Sequence, residues 1–324
     1  MGLRILSGIQ PSGKLHLGNY FGALKQYLEL QEIPDSEPYY FIADFHAMTT
    51  VQDGNDLRQY IQDAALDFLA LGLDTQKSVF FRQTDVPEVT ELTWMLSCVT
   101  GMGLLERAHS YKDKTAKGIK PSVGLFTYPV LMASDILIYK PKFVPVGQDQ
   151  VQHIEMTQDI AQYFNNTYHC DVFVRPEPKL NATAKVPGVD GEKMSKSYGN
   201  TIELQLTGKP LKKVVMGIKT DSTPVEDPKD PATCNVFALY ALFATDEEEE
   251  KLKAKYKAGG MGYGEAKKLL LQKIETYFEA YRKKREDLTK NLDYVQQVLR
   301  EGAERARAVA QQTLDEAKKA AGLS

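Results

Sequence analysis

Short apolar runs alternate with longer amphipathic segments through the first half of the chain. We predict buried strands for three of the apolar runs, LRILSGI, YYFIADFHAM and SVFFRQ. Amphipathic helices are predicted between them, for HLGNYFGALKQYLELQ and NDLRQYIQDAALDFLALGL. Because strands that alternate with helices form βαβ crossovers, this pattern predicts an α/β fold, a Rossmann-like parallel sheet with flanking helices.

The alternation continues in the middle of the chain. A helix that begins near Pro129 is predicted for GLFTYPVLMASDILIY, since a first helical turn does not use the N–H that proline lacks. A strand is predicted for FVPVG and a helix for QDQVQHIEMTQDIAQYFNN. The next segment, KLNATAKVPGVDGEKMSKSYGN, is rich in Gly, Pro, Ser and Lys, and we predict a mobile loop long enough to suggest a function.

Beyond about residue 207 the strand patterns fade and helical patterns take over. They are interrupted by TDSTPVEDPKDPAT, a predicted linker or surface loop. A chain of 324 residues also exceeds the usual size of a single core. We therefore predict two domains: residues 1–206 form the Rossmann-like domain, including a connecting insertion and the lysine-rich loop, and residues 207–324 form a helical domain with a C-terminal helix.

The composition narrows the possible functions. A formal net charge of -3 gives no overall nucleic-acid signature, so any contact with RNA would have to come from local basic patches. The cysteines, Cys98, Cys170 and Cys234, are far apart in sequence and form no CxxC pair, which argues against disulfides and a zinc site. No signal peptide and no apolar span of membrane length is seen in the sequence, so a cytoplasmic location is expected.

The segment SGIQPSGKLHLGNY, residues 7–20, is close to a phosphate-binding P-loop but lacks its chemistry. A P-loop needs a Ser or Thr hydroxyl after its lysine and a run of backbone N–H groups around the phosphates. Here Leu15 follows Lys14, and Pro11 removes one donor. A P-loop ATPase is therefore disfavoured.

A better nucleotide site begins at His16-Leu17-Gly18-Asn19, on the first turn of a predicted helix. A helix start offers free N–H groups and a partial positive charge, and Gly18 would let a base or ribose approach the backbone. His16 and Asn19 can donate hydrogen bonds to phosphate oxygens. Taken alone, this tetrapeptide is also compatible with an ordinary helix cap or surface histidine.

A second candidate motif is Lys193-Met194-Ser195-Lys196-Ser197. Two ammonium groups and two hydroxyls on a glycine-flanked loop suit a flap that closes on a triphosphate and stabilises charge on departing pyrophosphate. A basic surface loop is the alternative. The order of the two motifs on an α/β chain favours the nucleotide role.

The two motifs resemble the signatures of the class I aminoacyl-tRNA synthetases, a His-x-Gly-His type motif, here HLGN, and KMSKS. Asn19 departs from the second histidine, and the longer string SGIQPSGKLHLGNYFGAL is similar to the bacterial tryptophanyl branch of the family. The similarity covers most of the chain, through DFHAMTTVQD, LLERAHSYKDK, TYPVLMASDILIY, VPVGQDQVQHIE and GYGEAKK.

The resemblance implies an ATP site with a catalytic subset. The catalytic residues would be His16, Gly18, Asn19, Lys193, Lys196 and Ser197. The ATP-binding residues would be Gln10, Pro11, Ser12, Gly18, Asn19, Gly147, Gln148, Asp149, Val186, Lys193, Met194, Ser195, Lys196 and Ser197. The family usually has Glu in place of Gln148. Mg²⁺ is expected to arrive with ATP, with no metal site of the protein's own.

A tryptophan pocket is expected around Tyr128, Met132 and Asp135. These residues lie at i, i+4 and i+7, so they share one helix face. Tyrosyl relatives typically carry Gln where Met132 stands, and Met132 offers a polarizable contact suited to an indole. Asp135 can accept the indole N–H, because a buried carboxylate is costly unless a donor satisfies it. Phenylalanine, which lacks the donor, would leave the acid unpaired.

Other assignments follow from the same resemblance. Tyr128 and Gln150 would hold the substrate's ammonium group. Asp135 could instead cap or pair within the fold, and His46 could contact the indole or be a satisfied core histidine. Lys112 and Lys114 could add positive charge over the triphosphate or lie in a solvated loop.

The implied function is that of a tryptophan-tRNA ligase. It would activate L-tryptophan with ATP to tryptophanyl-adenylate and pyrophosphate, and then transfer tryptophan to the 3′-terminal adenosine of tRNA(Trp). The alternatives are a tyrosyl enzyme and a catalytically silent RNA-binding paralogue. The helical domain would bind the anticodon, aided by KKLLLQKIETYFEAYRKKR, residues 267–285, a predicted basic amphipathic helix.

The partners implied by the family are tRNA(Trp), L-tryptophan, ATP and a second copy of the chain in a homodimer; a membrane is not expected. Met95, Met102 and the aromatic positions around Trp94 have helical spacing. We expect them to form core or subunit contacts and to carry no chemistry.

Overall fold

The computed structural model describes residues 3–108, 122–180 and 186–324. The chain divides into two compact units. The sheet unit consists of Met1–Ser12, Tyr27–Ala182 and Asn291–Ser324, and the helical unit consists of Gly13–Gln26 and Thr183–Lys290. These units do not follow the predicted division at residue 206, because the first motif and the KMSKS loop group with the later helices.

A parallel sheet of five strands forms the centre of the sheet unit, in the order β3-β2-β1-β4-β5. The strands are β1 Leu3–Ile9, β2 Ser36–Ile42, β3 Val79–Arg82, β4 Phe143–Val146 and β5 Glu177–Leu180. β1 pairs with both β2 and β4, so the chain order reverses at this point. Ligands of parallel α/β sheets bind outside the carboxyl ends of the strands at such a reversal.

The sequence predicts four of these strands and misses β5. The segment EPKL has no apolar alternation, and its proline cannot donate to a ladder, so its sequence argues against a strand. Pairing with β4 makes it a strand, from Phe143 opposite Glu177 to Val146 opposite Leu180. This pairing joins distant parts of the sequence, so no local pattern reports it.

The helices surround the sheet or build the helical unit. In chain order they are α1 Leu17–Asn19, α2 Lys25–Leu30, α3 Asp44–Ala47, α4 Gly54–Leu71, α5 Glu88–Val99, α6 Met102–Glu106, α7 Val123–Leu137, α8 Val151–Tyr168, α9 Gly208–Met216, α10 Asn235–Ala241, α11 Asp246–Ala258, α12 Tyr263–Tyr277, α13 Glu279–Thr289 and α14 Leu292–Ala320. A π-helical turn, Tyr20–Leu24, joins α1 to α2.

Two predicted element boundaries are wrong. Helix α7 begins at Val123 rather than near Pro129, because the Ser122 hydroxyl accepts the Leu125 N–H at 3.1 Å and caps the helix earlier. The predicted strand YYFIADFHAM ends at Ile42, and its last residues form α3. His46 therefore lies on a short helix rather than on a strand.

The predicted basic helix at residues 267–285 is also two helices. Helix α12 ends at Tyr277 and α13 starts at Glu279. Phe278 stands between them with 1% of its surface exposed, and its ring packs edge-on against Tyr20 at 5.1 Å. Burial of this aromatic side chain places the break.

Helix α14 packs directly on the backbone of β3. Its buried side includes Ala303, Ala306 and Ala310, whose small side chains allow close approach. At Gly302 a Cβ atom would overlap the carbonyl oxygen of Phe80. The last helix of the predicted helical domain therefore belongs to the sheet unit. Within the described residues, no helix is both long enough and apolar enough to cross a membrane.

Candidate active site

In the helical unit, the first motif opens α1. His16 precedes the helix and is 5% exposed. Its backbone N–H donates to Asn19 Oδ1 at 3.2 Å. Burial, and then the positive charge of Lys196, lowers the pKa of His16 to about 4, so the ring is neutral at physiological pH. A neutral ring can still donate one N–H to a phosphate oxygen.

The KMSKS loop lies against the first motif. The Lys196 ammonium donates to the carbonyl oxygen of Gly13 at 2.7 Å. Met194 is 4% exposed, and its sulfur accepts the backbone N–H of Gly18 at 3.3 Å. A Cβ atom on Gly18 would lie 2.9 Å from His16 Nδ1, so only glycine fits beside this ring. The two motifs, 170 or more residues apart, therefore form one cluster.

The remaining residues of this cluster differ in their contacts and in their exposure. Ser195 and Ser197 share a hydrogen bond between their hydroxyls at 2.9 Å, while Lys193 is exposed. The carbonyl oxygen of Val186, a buried residue, accepts the Met194 N–H at 3.0 Å. Sequence reasoning missed Asn200, whose side chain bonds to the backbone of Lys193 and Ser195.

A short backbone ladder connects the first motif to the residues that follow KMSKS. Leu17 donates to the carbonyl of Ile202, and Leu204 donates to the carbonyl of Leu15, both at 3.0 Å. Lys14 forms an ion pair with Glu203 at 3.3 Å. Lys14, which a P-loop would use on phosphates, is therefore engaged within the unit.

In the sheet unit, Asp135 is held by two side chains. His46 Nε2 lies 2.8 Å from Asp135 Oδ2, and Gln83 Nε2 lies 2.8 Å from both carboxylate oxygens. Burial raises the pKa of Asp135, and the bonds from His46 and Gln83 oppose that rise. Asp135 thus has hydrogen-bond partners within the fold, as one of the two alternatives for this residue expects, and its contact with an indole N–H stays a prediction.

Gln83 is a site residue that sequence reasoning missed. It is 1% exposed, and its Oε1 accepts the backbone N–H of Phe45 at 3.1 Å. Asp44 accepts the Thr84 hydroxyl at 2.6 Å and thereby joins the segments after β2 and β3. A signal was available, because Gln83 directly follows β3 at the carboxyl edge of a predicted parallel sheet.

Tyr128, Met132 and Asp135 all lie on α7, as their spacing predicts. Tyr128 is joined to His153 by a hydrogen bond of 3.1 Å between its hydroxyl and Nε2, and burial raises the pKa of Tyr128. The ring of His46 meets Tyr128 edge-on at 6.1 Å. His153, on α8, is a second residue that sequence reasoning missed, since its helix pattern alone marks it as a core residue.

The other predicted contacts of the sheet unit follow β1 and β4. Gln10 donates to the His46 carbonyl at 3.2 Å and to the Thr50 hydroxyl at 3.1 Å. Pro11 and Ser12 follow it directly. Gly147 follows β4, and Gln148 and Gln150 lie in a 3₁₀ turn. Lys112, Lys114 and the side chain of Asp149 lie outside the described residues.

Two features are typical of a class I aminoacyl-tRNA synthetase. The parallel sheet reverses its strand order between β1 and β4, and HLGN and KMSKS lie together in the helical unit. The family model described as tRNA synthetases class I (W and Y) matches residues 2–279. The chain belongs to this family of tryptophan and tyrosine enzymes.

Individual relatives support the tryptophan branch. The chain is 55% identical over 322 residues to the tryptophan–tRNA ligase of Rhodopirellula baltica, covering 99% of this chain and 100% of that protein. A tryptophanyl-tRNA synthetase structure from Campylobacter jejuni, complexed with ADP and tryptophan, aligns with a TM-score of 0.93 at 49% identity, covering 99% of this chain and 100% of that one. A tyrosyl-tRNA synthetase from Archaeoglobus fulgidus, at 20% identity and a TM-score of 0.65 over 87% of this chain and 90% of that one, shares the fold alone.

Proposed function

We propose that this chain is a tryptophan–tRNA ligase. The tryptophan carboxylate attacks the α-phosphorus of ATP, an O–P bond forms, the bond to the β-phosphate oxygen breaks and pyrophosphate leaves. The 2′-hydroxyl of the terminal adenosine of tRNA(Trp) then attacks the aminoacyl carbonyl, and AMP leaves. The observation that carries the choice of tryptophan is the buried carboxylate of Asp135, held by His46 and Gln83 on the helix face that also carries Met132.

Asp135 keeps capacity for an indole N–H. Its Oδ1 accepts one protein hydrogen bond, from Gln83, whereas a carboxylate oxygen can accept two. Met132 supplies an apolar contact, and Tyr128 and Gln150 are proposed to hold the ammonium group. Because two protein donors already satisfy Asp135, phenylalanine would not leave it wholly unpaired, and its rejection is weaker than that of a fully unpaired acid.

The phosphates of ATP are proposed to meet the cluster in the helical unit. Lys193 and Lys196 bring positive charge to the pyrophosphate as it departs, and the hydroxyls of Ser195 and Ser197 supply donors. Lys196→Ala should lower the activation rate roughly 100-fold or more, with little change in tryptophan affinity, because the proposed tryptophan contacts belong to the sheet unit. Equal losses in both quantities would count against this role.

The nucleoside end of ATP is proposed to contact the residues after β1 and β4, which are neighbouring strands.

Mg²⁺ enters only as the ion that accompanies ATP. Among residues 3–108, 122–180 and 186–324, no group of three or more His, Cys, Asp or Glu side chains could hold a metal ion. No step is assigned to a magnesium ion held by the protein.

The decisive experiment is the exchange of labelled pyrophosphate into ATP, with tryptophan, tyrosine and phenylalanine in parallel. Tryptophan should support exchange, and the other two should do so poorly. Exchange with tyrosine alone would overturn the choice of amino acid. No exchange with any of them would support the alternative of a silent RNA-binding paralogue.

A homodimer is proposed on exposed apolar side chains of the sheet unit. Trp94 is 73% exposed, Met102 63% and Val123 80%, whereas Met95 is buried in the core. Contiguous exposed apolar surface marks protein interfaces, and these three side chains are proposed to contribute to one. Trp94→Glu should convert dimers to monomers in analytical ultracentrifugation, while Val174→Glu, at another exposed valine, should not. A monomeric wild-type chain would refute the dimer.

Binding of tRNA by the helical unit is proposed on its basic surface. Lys283 and Lys284 are exposed on α13, where they are available for phosphate contacts. Substituting both by Ala should weaken tRNA binding and reduce its salt dependence. Pyrophosphate exchange, which needs no tRNA, provides the control and should stay unchanged.

A further inference from the structure

Asn200 occupies the centre of the segment that carries KMSKS. It is 2% exposed, and every polar atom of its side chain is bonded. Its Nδ2 donates to the carbonyl of Lys193 at 3.1 Å and to Asp190 Oδ1 at 2.8 Å. Its Oδ1 accepts the backbone N–H of Ser195 at 2.8 Å. Two of these three bonds fall on the backbone of the KMSKS motif.

The bonded residues lie on either side of Met194. One amide group therefore fixes the chain before and after this side chain, which is buried and accepts the Gly18 N–H through its sulfur. Lys196 follows two residues later and reaches the Gly13 carbonyl. The Asn200 amide thus determines where the first motif and the second lysine of KMSKS meet.

Only asparagine suits this position among side chains of its size. The Lys193 carbonyl needs a donor and the Ser195 N–H needs an acceptor, and aspartate at neutral pH offers acceptors alone. Asp190 fixes which end of the amide faces each partner, and the hydrogen bond from Asn200 is the main reason why the pKa of Asp190 lies below its ordinary value. At Gly188 a Cβ atom would overlap Asn200 Nδ2, so the surrounding backbone is closely fitted to this amide.

We propose that Asn200, oriented by Asp190, is a positioning residue for amino-acid activation, which holds the backbone of residues 193–195 so that Lys196 can meet the phosphates of ATP. The proposal rests on the proposed function and extends it to a residue that does not touch the substrates. Displacement of a catalytic group by about 1 Å through a remote change can cost roughly 100-fold in rate.

The test is Asn200→Asp, which keeps the shape and exchanges the donor for an acceptor. The kcat of tryptophan-dependent pyrophosphate exchange should fall roughly 100-fold, while the Kd of tryptophan in equilibrium dialysis without ATP stays within about twofold, since Asp135 belongs to the other unit. Amide hydrogen exchange should accelerate at residues 193–197. A folded variant with wild-type kcat would overturn the proposal, as would equal losses in kcat and tryptophan affinity.

A second substitution separates positioning from general damage. Asp190→Asn combined with Asn200→Asp restores a donor and an acceptor to the pair with reversed polarity, and it should recover part of the lost kcat. No recovery would overturn the role of Asp190. If Asn200→Asp does not fold, Asp190→Ala at an exposed side chain tests the same bond and should lower kcat several-fold with wild-type tryptophan affinity; an unchanged kcat would reject the proposal.

A matched control lies in the sheet unit. Asn165 also donates to a carbonyl, that of Phe173 at 2.8 Å, and accepts the Phe173 N–H at 3.2 Å. Asn165→Asp should lower the free energy of unfolding without changing the kcat of tryptophan-dependent pyrophosphate exchange. If the proposed function is wrong, the wild-type chain will show no tryptophan-dependent pyrophosphate exchange. Amide hydrogen exchange at residues 193–197 tests the contacts of Asn200 in that case too.

Discussion

Asp135 is kept inside the sheet unit by donors that are themselves fixed. Gln83 gives its amide N–H groups to the carboxylate and takes the Phe45 N–H on its other end, so it cannot turn away without losing both. Removing one partner of a buried charge is costly, because the remaining group keeps its desolvation penalty. The orientation of Asp135 toward a substrate therefore depends on a neighbour that need not contact the substrate.

Gln83→Glu tests this dependence. It exchanges the donor for a second negative charge beside Asp135, so tryptophan Kd should rise at least 10-fold and the free energy of unfolding should fall by about 1–3 kcal/mol. Equilibrium dialysis and urea denaturation measure the two effects. Gln31→Glu, at a buried glutamine that donates to the Gly72 carbonyl at 3.2 Å, should lower stability alone. Unchanged tryptophan affinity in the Gln83 variant would contradict the prediction.

His16 makes stability depend on pH in a defined direction. Its folded pKa of about 4 lies below the unfolded value of about 6.5, so between these values the unfolded chain binds a proton that the folded chain does not. The free energy of unfolding should therefore fall as pH drops from about 6.5 to 4. In urea denaturation, the free energy of unfolding of the His16→Gln variant should fall less over this pH window. Parallel curves for both proteins would show that His16 titrates normally.

The helices of this chain are bounded by side-chain caps and by tertiary packing. Ser122 starts α7 about two turns before Pro129. The helix tolerates this proline because Leu125, Val130 and the following apolar residues are buried. Between α12 and α13 no proline or glycine marks the break, and the buried ring of Phe278 sets it. A side-chain cap can be predicted from the sequence, whereas a helix break that is set by burial of one aromatic ring cannot.

Ser122→Ala measures the contribution of the cap to α7. Loss of the bond to the Leu125 N–H should lower the free energy of unfolding by about 1 kcal/mol in urea denaturation. Ser97→Ala is the control, because Ser97 lies within α5 and bonds the Thr93 carbonyl, a contact that adds little to helix stability. Equal effects of the two substitutions would show that Ser122 does not act as a cap.

The C-terminal helix is part of the sheet unit. Besides its contact with β3, α14 joins the unit through Arg307, which binds Glu88 at 2.8 Å, and Arg305, which donates to the Thr75 carbonyl at 2.9 Å. The polypeptide thus returns to the sheet unit after the last residues of the helical unit. Order along the chain is a poor guide to its compact units for this reason.

Gly302→Ala probes this closure. The added methyl group would overlap the Phe80 carbonyl, a backbone atom that cannot turn aside, so thermal or urea unfolding should show a loss of about 1–3 kcal/mol. Gly264→Ala on α12, where no atom lies within 4 Å of the added group, should be neutral or stabilising by about 0.5–1 kcal/mol. A neutral Gly302→Ala would mean that α14 does not rest on β3.

Features that depend on neighbours along the chain were readable without the fold. They include four strands of the sheet, the two synthetase motifs and the shared helix face of Tyr128, Met132 and Asp135, because local periodicity and residue chemistry specify them. Contacts between distant residues could not be read. The partners of Asp135, the fifth strand, the place of α14 and the bonds of Asn200 each depend on backbone and side chains brought together across the sequence, which no local pattern encodes.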